Sequence, residues 1–357
     1  MESDNIAESN GQPKIYWISD IHLELRKKFP KGIFGQLLGR PKDDRGNYIE
    51  ESEEECRNNR GSRILLLAGD IGWPDQPIYK LFLALCMVKF KHVFVIAGNH
   101  EYYSPQQYTI SEINRKIEKV CKDLGGERGG IYVLAAGDND STENVVTLYD
   151  YGRPIRFIGC TLWTEVDARA EMVMNDYNSI YIDDGTNQEE RYVKIESMCQ
   201  DFMVPQTTKK RLGTRKISYF DVLYGMHQPQ RAHIASELDR ALSENVRTVV
   251  VTHHAPSYSM LRIRVDSEKS DSENSDDEQT NNSAEKIFRR YGPSANYYAT
   301  NLEHLITSPV ILWVSGHTHD SKTVMINNIQ CSSNCYGYPT QTAKETKFSS
   351  AKMELCE

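Results

Sequence analysis

The sequence predicts an α/β fold whose chemistry gathers at the carboxyl ends of its strands, and three observations predict it. Continuous apolar runs of strand length recur along the chain, with helix-period segments between several of them. Several of these runs end in Gly or Ser, followed at once by a carboxylate, amide or imidazole side chain. In open α/β sheets ligands sit beyond the carboxyl ends of the strands, so repeated polar chemistry at strand ends is what such a fold would show.

Taken in order, Lys14-Ile-Tyr-Trp-Ile-Ser19 reads as a short buried strand, with Asp20-Ile-His-Leu-Glu24 at its exit. Residues 27–62 are polar and charge-rich, including Glu50-Glu-Ser-Glu-Glu-Glu55, and read as a loop or partly disordered insertion. Arg63-Ile-Leu-Leu-Leu-Ala68 is a second buried strand ending in Gly69-Asp70, and a helix is expected over 78–89. His92-Val-Phe-Val-Ile-Ala97 is a third strand, ending in Gly98-Asn99-His100-Glu101. A helix over 111–124 and strands at 131–134 and 155–160 follow. From 161 to 223 periodicity is poor and aromatics are frequent, which suits a cap facing a substrate or a set of peripheral helices. A helix over 229–244 leads into Val246-Arg-Thr-Val-Val-Val-Thr252 and then His253-His254. Residues 301–306 read as helical, and Pro309-Val-Ile-Leu-Trp-Val314 as the strand before Gly316-His-Thr-His319. Residues 324–327 and 329–331 read as edge strands.

The domain plan is a disordered tail over 1–12, a catalytic domain over 13–340 and a polar tail over 341–357. Two insertions interrupt the domain, at 27–62 and 266–285. The second carries eight acidic residues and one lysine, nearly all of the net charge of −8. A segment so charged and so poor in apolar residues is expected to be disordered. Its Ser275-Asp-Asp-Glu278 suits an acidophilic kinase. The remainder is close to neutral, which argues against general nucleic-acid affinity. Hydrophobic residues at 39% and charged residues at 26% suit a globular chain. No apolar run approaches the ~18 residues of a membrane span, and the acidic N-terminus is no signal peptide. Eight scattered cysteines, without a Cys-x-x-Cys pair, read as reduced thiols, so a cytoplasmic location without membrane contact is expected.

Six of the ten histidines fall at strand ends. In an extended segment, side chains at i and i+2 leave the same side of the backbone, so His317 and His319 would face one place, as would Asp20 and His22. Converging neutral imidazoles suit a transition metal. The remaining histidines, His92, His227, His233 and His304, lack metal-competent neighbours in sequence and read as structural.

The series Asp20-x-His22, Gly69-Asp70, Gly98-Asn99-His100-Glu101, His253-His254, Gly316-His317-x-His319 resembles the calcineurin-like metallophosphoesterase superfamily, motif by motif and in order. The resemblance implies a four-layer αββα sandwich with a dinuclear metal site at the strand ends. It implies one ion on Asp20, His22 and His319, a second on Asn99, His253 and His317, and Asp70 bridging them. It further implies hydrolysis of a small phosphorylated substrate by a hydroxide bridging the two ions. His100, next to a ligand but facing elsewhere, would protonate the leaving group or hold a phosphoryl oxygen. Adjacent residues in an extended segment point opposite ways, and the family pattern gives the ligand role to His253. His254 then meets substrate or supports the ligands. Mixed N and O donors without thiolate point to two divalent ions among Mn, Fe and Zn.

Serine/threonine protein phosphatases of this superfamily carry Asp-x-His-Gly and Gly-Asp-x-x-Asp-Arg-Gly. Here Leu23 follows His22, and Trp73 stands in the second motif where that branch has Asp, so the chain is placed outside it. The carboxylate that would orient His100 is thereby lost, and Asp75 is the nearest candidate in sequence. Residues Thr161-Leu-Trp-Thr164, Met174-Asn-Asp-Tyr177 and Asn334-Cys-Tyr-Gly-Tyr338 resemble stretches in uncharacterised bacterial-type members. Monoester and diester substrates both remain open. A non-catalytic scaffold binding a protein partner is the alternative, although scaffolds of this type tend to lose ligands that this chain keeps.

Overall fold

The computed structural model describes residues 13–125, 130–135, 145–185, 211, 213–261 and 292–354. The strands, in chain order, are β1 (Lys14–Ile18), β2 (Arg63–Ala68), β3 (His92–Ile96), β4 (Ile131–Val133), β5 (Val145–Leu148), β6 (Ile155–Cys160), β7 (Tyr181–Asp183), β8 (Thr214–Lys216), β9 (Arg247–Thr252), β10 (Val310–Ser315), β11 (Thr323–Ile326), β12 (Ile329–Ser333) and β13 (Lys352–Glu354). One sheet runs β13-β1-β2-β3-β4 and the other β11-β12-β10-β9-β6-β5; β7 and β8 form a separate pair. Each large sheet has a parallel centre, and β13, β11 and β5 pair antiparallel at its margins.

Side chains alternating along these strands assemble three separate cores, and the cores define four layers. Ile15, Trp17, Ile64, Leu66, Phe94 and Ile96 meet Phe157, Val249, Val251, Leu312 and Val314 between the two sheets. Phe94 and Phe157 stack there with centroids 4.1 Å apart. The opposite faces, through Tyr16, Ile18, Leu65, Leu67, Val93 and Val95, pack on the helices Pro77–Lys89 and Ile110–Gly125. Ile158, Cys160, Val250 and Trp313 pack on the helix Gln228–Ser243 and on the 3₁₀ turns at Tyr258–Met260 and Gly292–Tyr297. This is an αββα sandwich. Burial on both faces is why the central strands read as unbroken apolar runs.

Several readings change. Within 27–62 the chain forms helices Ile33–Leu37 and Glu53–Arg60, the second closed by a Ser52/Glu55 capping box. Ile33 and Leu37 are buried, so this stretch holds packed structure that its polar composition concealed. Strand β5 has no sequence expectation, and β12 lies inside its sheet because β11 takes the edge. The polar stretch after Gln341 contains the helix Ala343–Thr346 and then β13, which pairs with β1. Residues 301–306 shrink to a 3₁₀ turn at Glu303–Leu305. Between 161 and 223 lie the short helices Ala170–Val173 and Asp176–Ser179 and the β7–β8 pair. A π-helix, Asp221–His227, then runs directly into Gln228–Ser243. The insertion at 266–285 with its kinase motif, and the tail over 1–12, lie outside the described residues. Among the described residues no helix is long and apolar enough to cross a membrane, and the six described cysteines are free.

Candidate metal centre

Parallel strands leave the sheets in one direction, so the exits of β1, β2, β3, β9 and β10 meet at one edge. These exits are not extended. Asp20, His22, Asp70, His317 and His319 all have φ between 50° and 66°. Left-handed backbone costs about 1–2 kcal/mol for a non-glycine residue and is held here by surrounding bonds. Asp20 N–H donates to Gly69 O (3.0 Å), His22 N–H to Asp70 O (2.9 Å) and Leu23 N–H to Ile71 O (2.9 Å), lacing the first two exits together. His317 N–H donates to both carboxylate oxygens of Asp20 at 3.1 Å, tying the second sheet to the first.

This geometry corrects the expectation drawn from alternation. Asp20, His22, Asp70 and His319 place ligand atoms within 4.8 Å of one another, whereas His317 joins Asp70 and His253 in a second group. The two histidines of Gly316-His-Thr-His319 therefore serve different groups, and Asp70 belongs to both. Its Oδ2 faces His22 Nε2 (3.8 Å) and its Oδ1 faces His253 Nε2 (3.3 Å). In the second group Asn99 Oδ1 lies 3.0 Å from His253 Nε2.

The donors fit a pair of cations. Each histidine of the two groups has one ring nitrogen against an oxygen acceptor: His22 Nδ1 on Glu24 (3.1 Å), His253 Nδ1 on Ala68 O (2.9 Å), His317 Nε2 on Tyr297 O (3.2 Å), His319 Nδ1 on Gln341 Oε1 (2.8 Å). An N–H in each of these bonds turns the opposite nitrogen toward the carboxylates, the orientation that metal-binding imidazoles adopt. Asn99 is fixed likewise. Its Nδ2 donates to Asp176 Oδ1 (2.9 Å) and to Tyr103 Oη (3.1 Å), so its carbonyl oxygen must face inward. Cys335 Sγ lies 3.5 Å from Ser19 Oγ, outside both groups. Asp20 and Asp70 are buried, and their ion-pair partners among the described residues are histidines. Burial pushes their pKa up, but the surrounding imidazoles outweigh it and hold both below the ordinary carboxylate value. Burial likewise opposes charge on His253, yet Asp70 lifts it to about 10. Two buried carboxylates in this pocket call for positive charge.

His100 stands outside both groups. His100 opens the 3₁₀ turn His100–Tyr102, and Asn99 caps it with right-handed helical backbone; neighbours in such a turn diverge by about 120°, and the two side chains part for this reason and not through strand alternation. The His100 amide donates to Asp70 Oδ1 (2.9 Å) and its carbonyl accepts from Trp73 Nε1 (3.1 Å). The orienting carboxylate is Glu24, whose Oε1 lies 3.3 Å from His100 Nδ1; Asp75 is exposed and does not reach it. Burial lowers the His100 pKa, but Asp70 and Glu24 raise it to about 9. His254 is enclosed, its ring centroid 4.2 Å from that of His317 and its Nδ1 3.2 Å from Thr161 O. Burial, with His317 and His253 adjacent, holds it neutral.

Besides Glu24, four residues go unassigned by sequence reasoning. Glu101 accepts four backbone N–H groups, from Asp70, Ile71, Gly72 and Gly98, and so clamps the β2 and β3 exits. Asp176, Gln341 and Tyr338 touch the candidate ligands Asn99, His319 and His22 from elsewhere in the chain. Asp176 and Tyr338 lie within the stretches that resemble bacterial-type members, the signal that could have found them. Gly98 shows how tightly the exits meet, because a Cβ there would sit 2.2 Å from Asp70 Oδ1.

The L509 protein of Acanthamoeba polyphaga mimivirus, itself uncharacterised, is 24% identical over 326 residues, covering 90% of each chain. A phosphopantetheinyl hydrolase (PptH) of Mycobacterium tuberculosis superposes with TM-score 0.51 at 15% identity, covering 97% of this chain and 96% of its own. A dimetal phosphatase from Danio rerio gives TM-score 0.44 at 13% identity, covering 97% and 93%. At these identities the structural likeness concerns the fold alone. The family model for calcineurin-like phosphoesterases matches residues 13–321, from the first strand to just beyond His319. The chain belongs to the calcineurin-like phosphoesterase family, whose members are metal-dependent phosphoester hydrolases.

Proposed function

We propose that this chain hydrolyses a small phosphate ester at a two-metal centre, with one ion on Asp20, His22 and His319, the other on Asn99, His253 and His317, and Asp70 between them. The observation carrying this reading is the orientation of the four histidines, each with one ring nitrogen against an oxygen acceptor, while His22 Nε2 and His253 Nε2 face Asp70 and His319 Nε2 faces Asp20 (3.3 Å). When bound, two divalent ions neutralise the phosphoryl oxygens and supply a deprotonated water as nucleophile. A donor set of N and O without thiolate suits Mn, Fe or Zn.

The chain's own residues do the rest. Asn99 contributes a neutral oxygen, which keeps the pocket from becoming too negative to admit a phosphate. Glu24 holds His100 at Nδ1, so that Nε2 is the atom left to serve the leaving group or a phosphoryl oxygen. His254, enclosed beside His317, supports that ligand from behind. A phosphopantetheine ester belongs in the substrate panel because the M. tuberculosis protein is described as a phosphopantetheinyl hydrolase.

The test is metal-reconstituted protein assayed against para-nitrophenyl phosphate and its bis-ester, with Asp70→Asn and His100→Ala alongside. Two ions per chain are expected, with hydrolysis of at least one ester and joint loss of metal and turnover in Asp70→Asn. His100→Ala should keep both ions and lose ~10²–10⁴-fold in rate, more for alkyl phosphates than for para-nitrophenyl phosphate. Full metal content and activity in Asp70→Asn would overturn the two-metal reading.

A further inference from the structure

Tyr338, on the segment after β12, lies among the proposed ligands without belonging to them. Its neighbours are pinned to the first strand exit: Tyr336 N–H donates to Ser19 O (2.9 Å) and Gly337 N–H to Asp20 O (2.8 Å). Its own N–H donates to Gln341 Oε1 (2.7 Å), the same oxygen that faces His319 Nδ1. Its ring packs against His22 and His319, with centroids 4.4 Å and 4.2 Å apart. Its hydroxyl lies 3.2 Å from His100 Nε2.

Both nitrogens of His100 are therefore engaged, Nδ1 with Glu24 and Nε2 with a phenol. The atom through which His100 would serve a leaving group already faces the Tyr338 oxygen. A side chain pinned through both its backbone and its ring is poorly placed to swing aside. Tyr338 is only partly buried.

We propose that Tyr338 is a catalytic residue that contacts the leaving-group oxygen, with His100 behind it as the proton source. This rests on the phosphoester-hydrolase reading above. As the bond from phosphorus to the leaving oxygen breaks, its electron pair stays on that oxygen, which takes the phenol proton. The phenol oxygen takes the proton from His100 Nε2 in the same step. The phenol is thereby restored, and His100 is left neutral with Nδ1–H still on Glu24, to be reprotonated from solvent after product leaves.

The experiment uses full-length, metal-loaded Tyr338→Phe, which keeps the ring packing and removes only the hydroxyl, together with His100→Ala and the double variant. Metal content, binding of inorganic phosphate by calorimetry, and rates on alkyl and para-nitrophenyl phosphates are measured for each. Tyr338→Phe should keep both ions, bind phosphate several-fold more weakly, and lose ~10²-fold or more on alkyl phosphates, with a much smaller loss on para-nitrophenyl phosphate. The double variant should be no slower than His100→Ala, because two groups acting in one relay are not additive. Wild-type rates on alkyl phosphates in Tyr338→Phe, or losses that add in full, would overturn the relay. If His100→Ala shows the leaving-group-dependent loss and Tyr338→Phe does not, Tyr338 falls alone. If the wild-type protein shows no metal-dependent hydrolysis, both readings fall together.

Discussion

An asparagine amide can present either its oxygen or its nitrogen, and Asn99 is useful to a cation only one way round. Asp176 decides which, since its carboxylate accepts from Asn99 Nδ2 and from Tyr103 Oη (3.2 Å). Burial raises the Asp176 pKa, and those two donors offset it only in part. Asp176→Ala removes the acceptor and frees the amide to turn. Supporting partners of this kind typically govern 10–100-fold in metal affinity. A metal titration of Asp176→Ala should therefore show one of two ions bound about 10–100-fold more weakly, the other nearly unchanged. Unaltered affinity at both positions would mean that Asn99 is no ligand. Glu24 illustrates the same logic from the other side. It stands only two residues after His22, yet its partnership with His100 spans 76 positions and needed the fold to bring it about.

Among the elements, residues 27–62 carry the largest revision, and a charged cluster explains how a polar segment becomes ordered. Glu51, just before the helix Glu53–Arg60, accepts from Arg63 Nη2 (2.6 Å) and Nη1 (3.1 Å) at the start of β2 and pairs with Arg40. The Arg63 hydrogen bonds lead in holding its pKa down to about 2 from an ordinary 4.5, against the effect of burial, with Cys56 and Arg40 adding. A depressed carboxylate pKa means that the stabilisation is complete above pH 4.5 and disappears as the pH falls through about 2. Glu51→Gln should cost about 1.5–3 kcal/mol at neutral pH. The gap in melting temperature from wild type should hold steady between pH 7 and 5, then close on further acidification. A gap that ignores pH would show that packing, and not charge, docks this segment.

For the molecule as a whole, the C-terminal strand closes the first sheet. In β13, Lys352, Met353 and Glu354 pair with Tyr16, Ile15 and Lys14 of β1. Removing residues 351–357 uncovers that edge and takes away the partly buried Met353, which packs on the core between the sheets. Unfolding should become easier by about 1–3 kcal/mol, with a melting temperature lower by a few degrees and a greater tendency to aggregate through the bare edge. Metal content at 25 °C should hold, because the pairing stops at Tyr16 and leaves the Asp20 exit untouched. Loss of metal before any loss of fold would place β13 in the support of the site.

The local properties of the sequence determined the buried central strands, their polar exits and the roster of metal-competent side chains. Continuous apolar runs follow from burial on two faces, and residue chemistry needs no partner to be read. Tertiary structure decided how those side chains divide. Hydrogen bonds between exits hold Asp20, His22, Asp70, His317 and His319 in left-handed backbone, where strand alternation no longer tells which way a side chain points. Glu24, Glu101, Asp176, Tyr338 and Gln341 gain their roles the same way, from contacts between segments distant in the chain, which no spacing along it could announce.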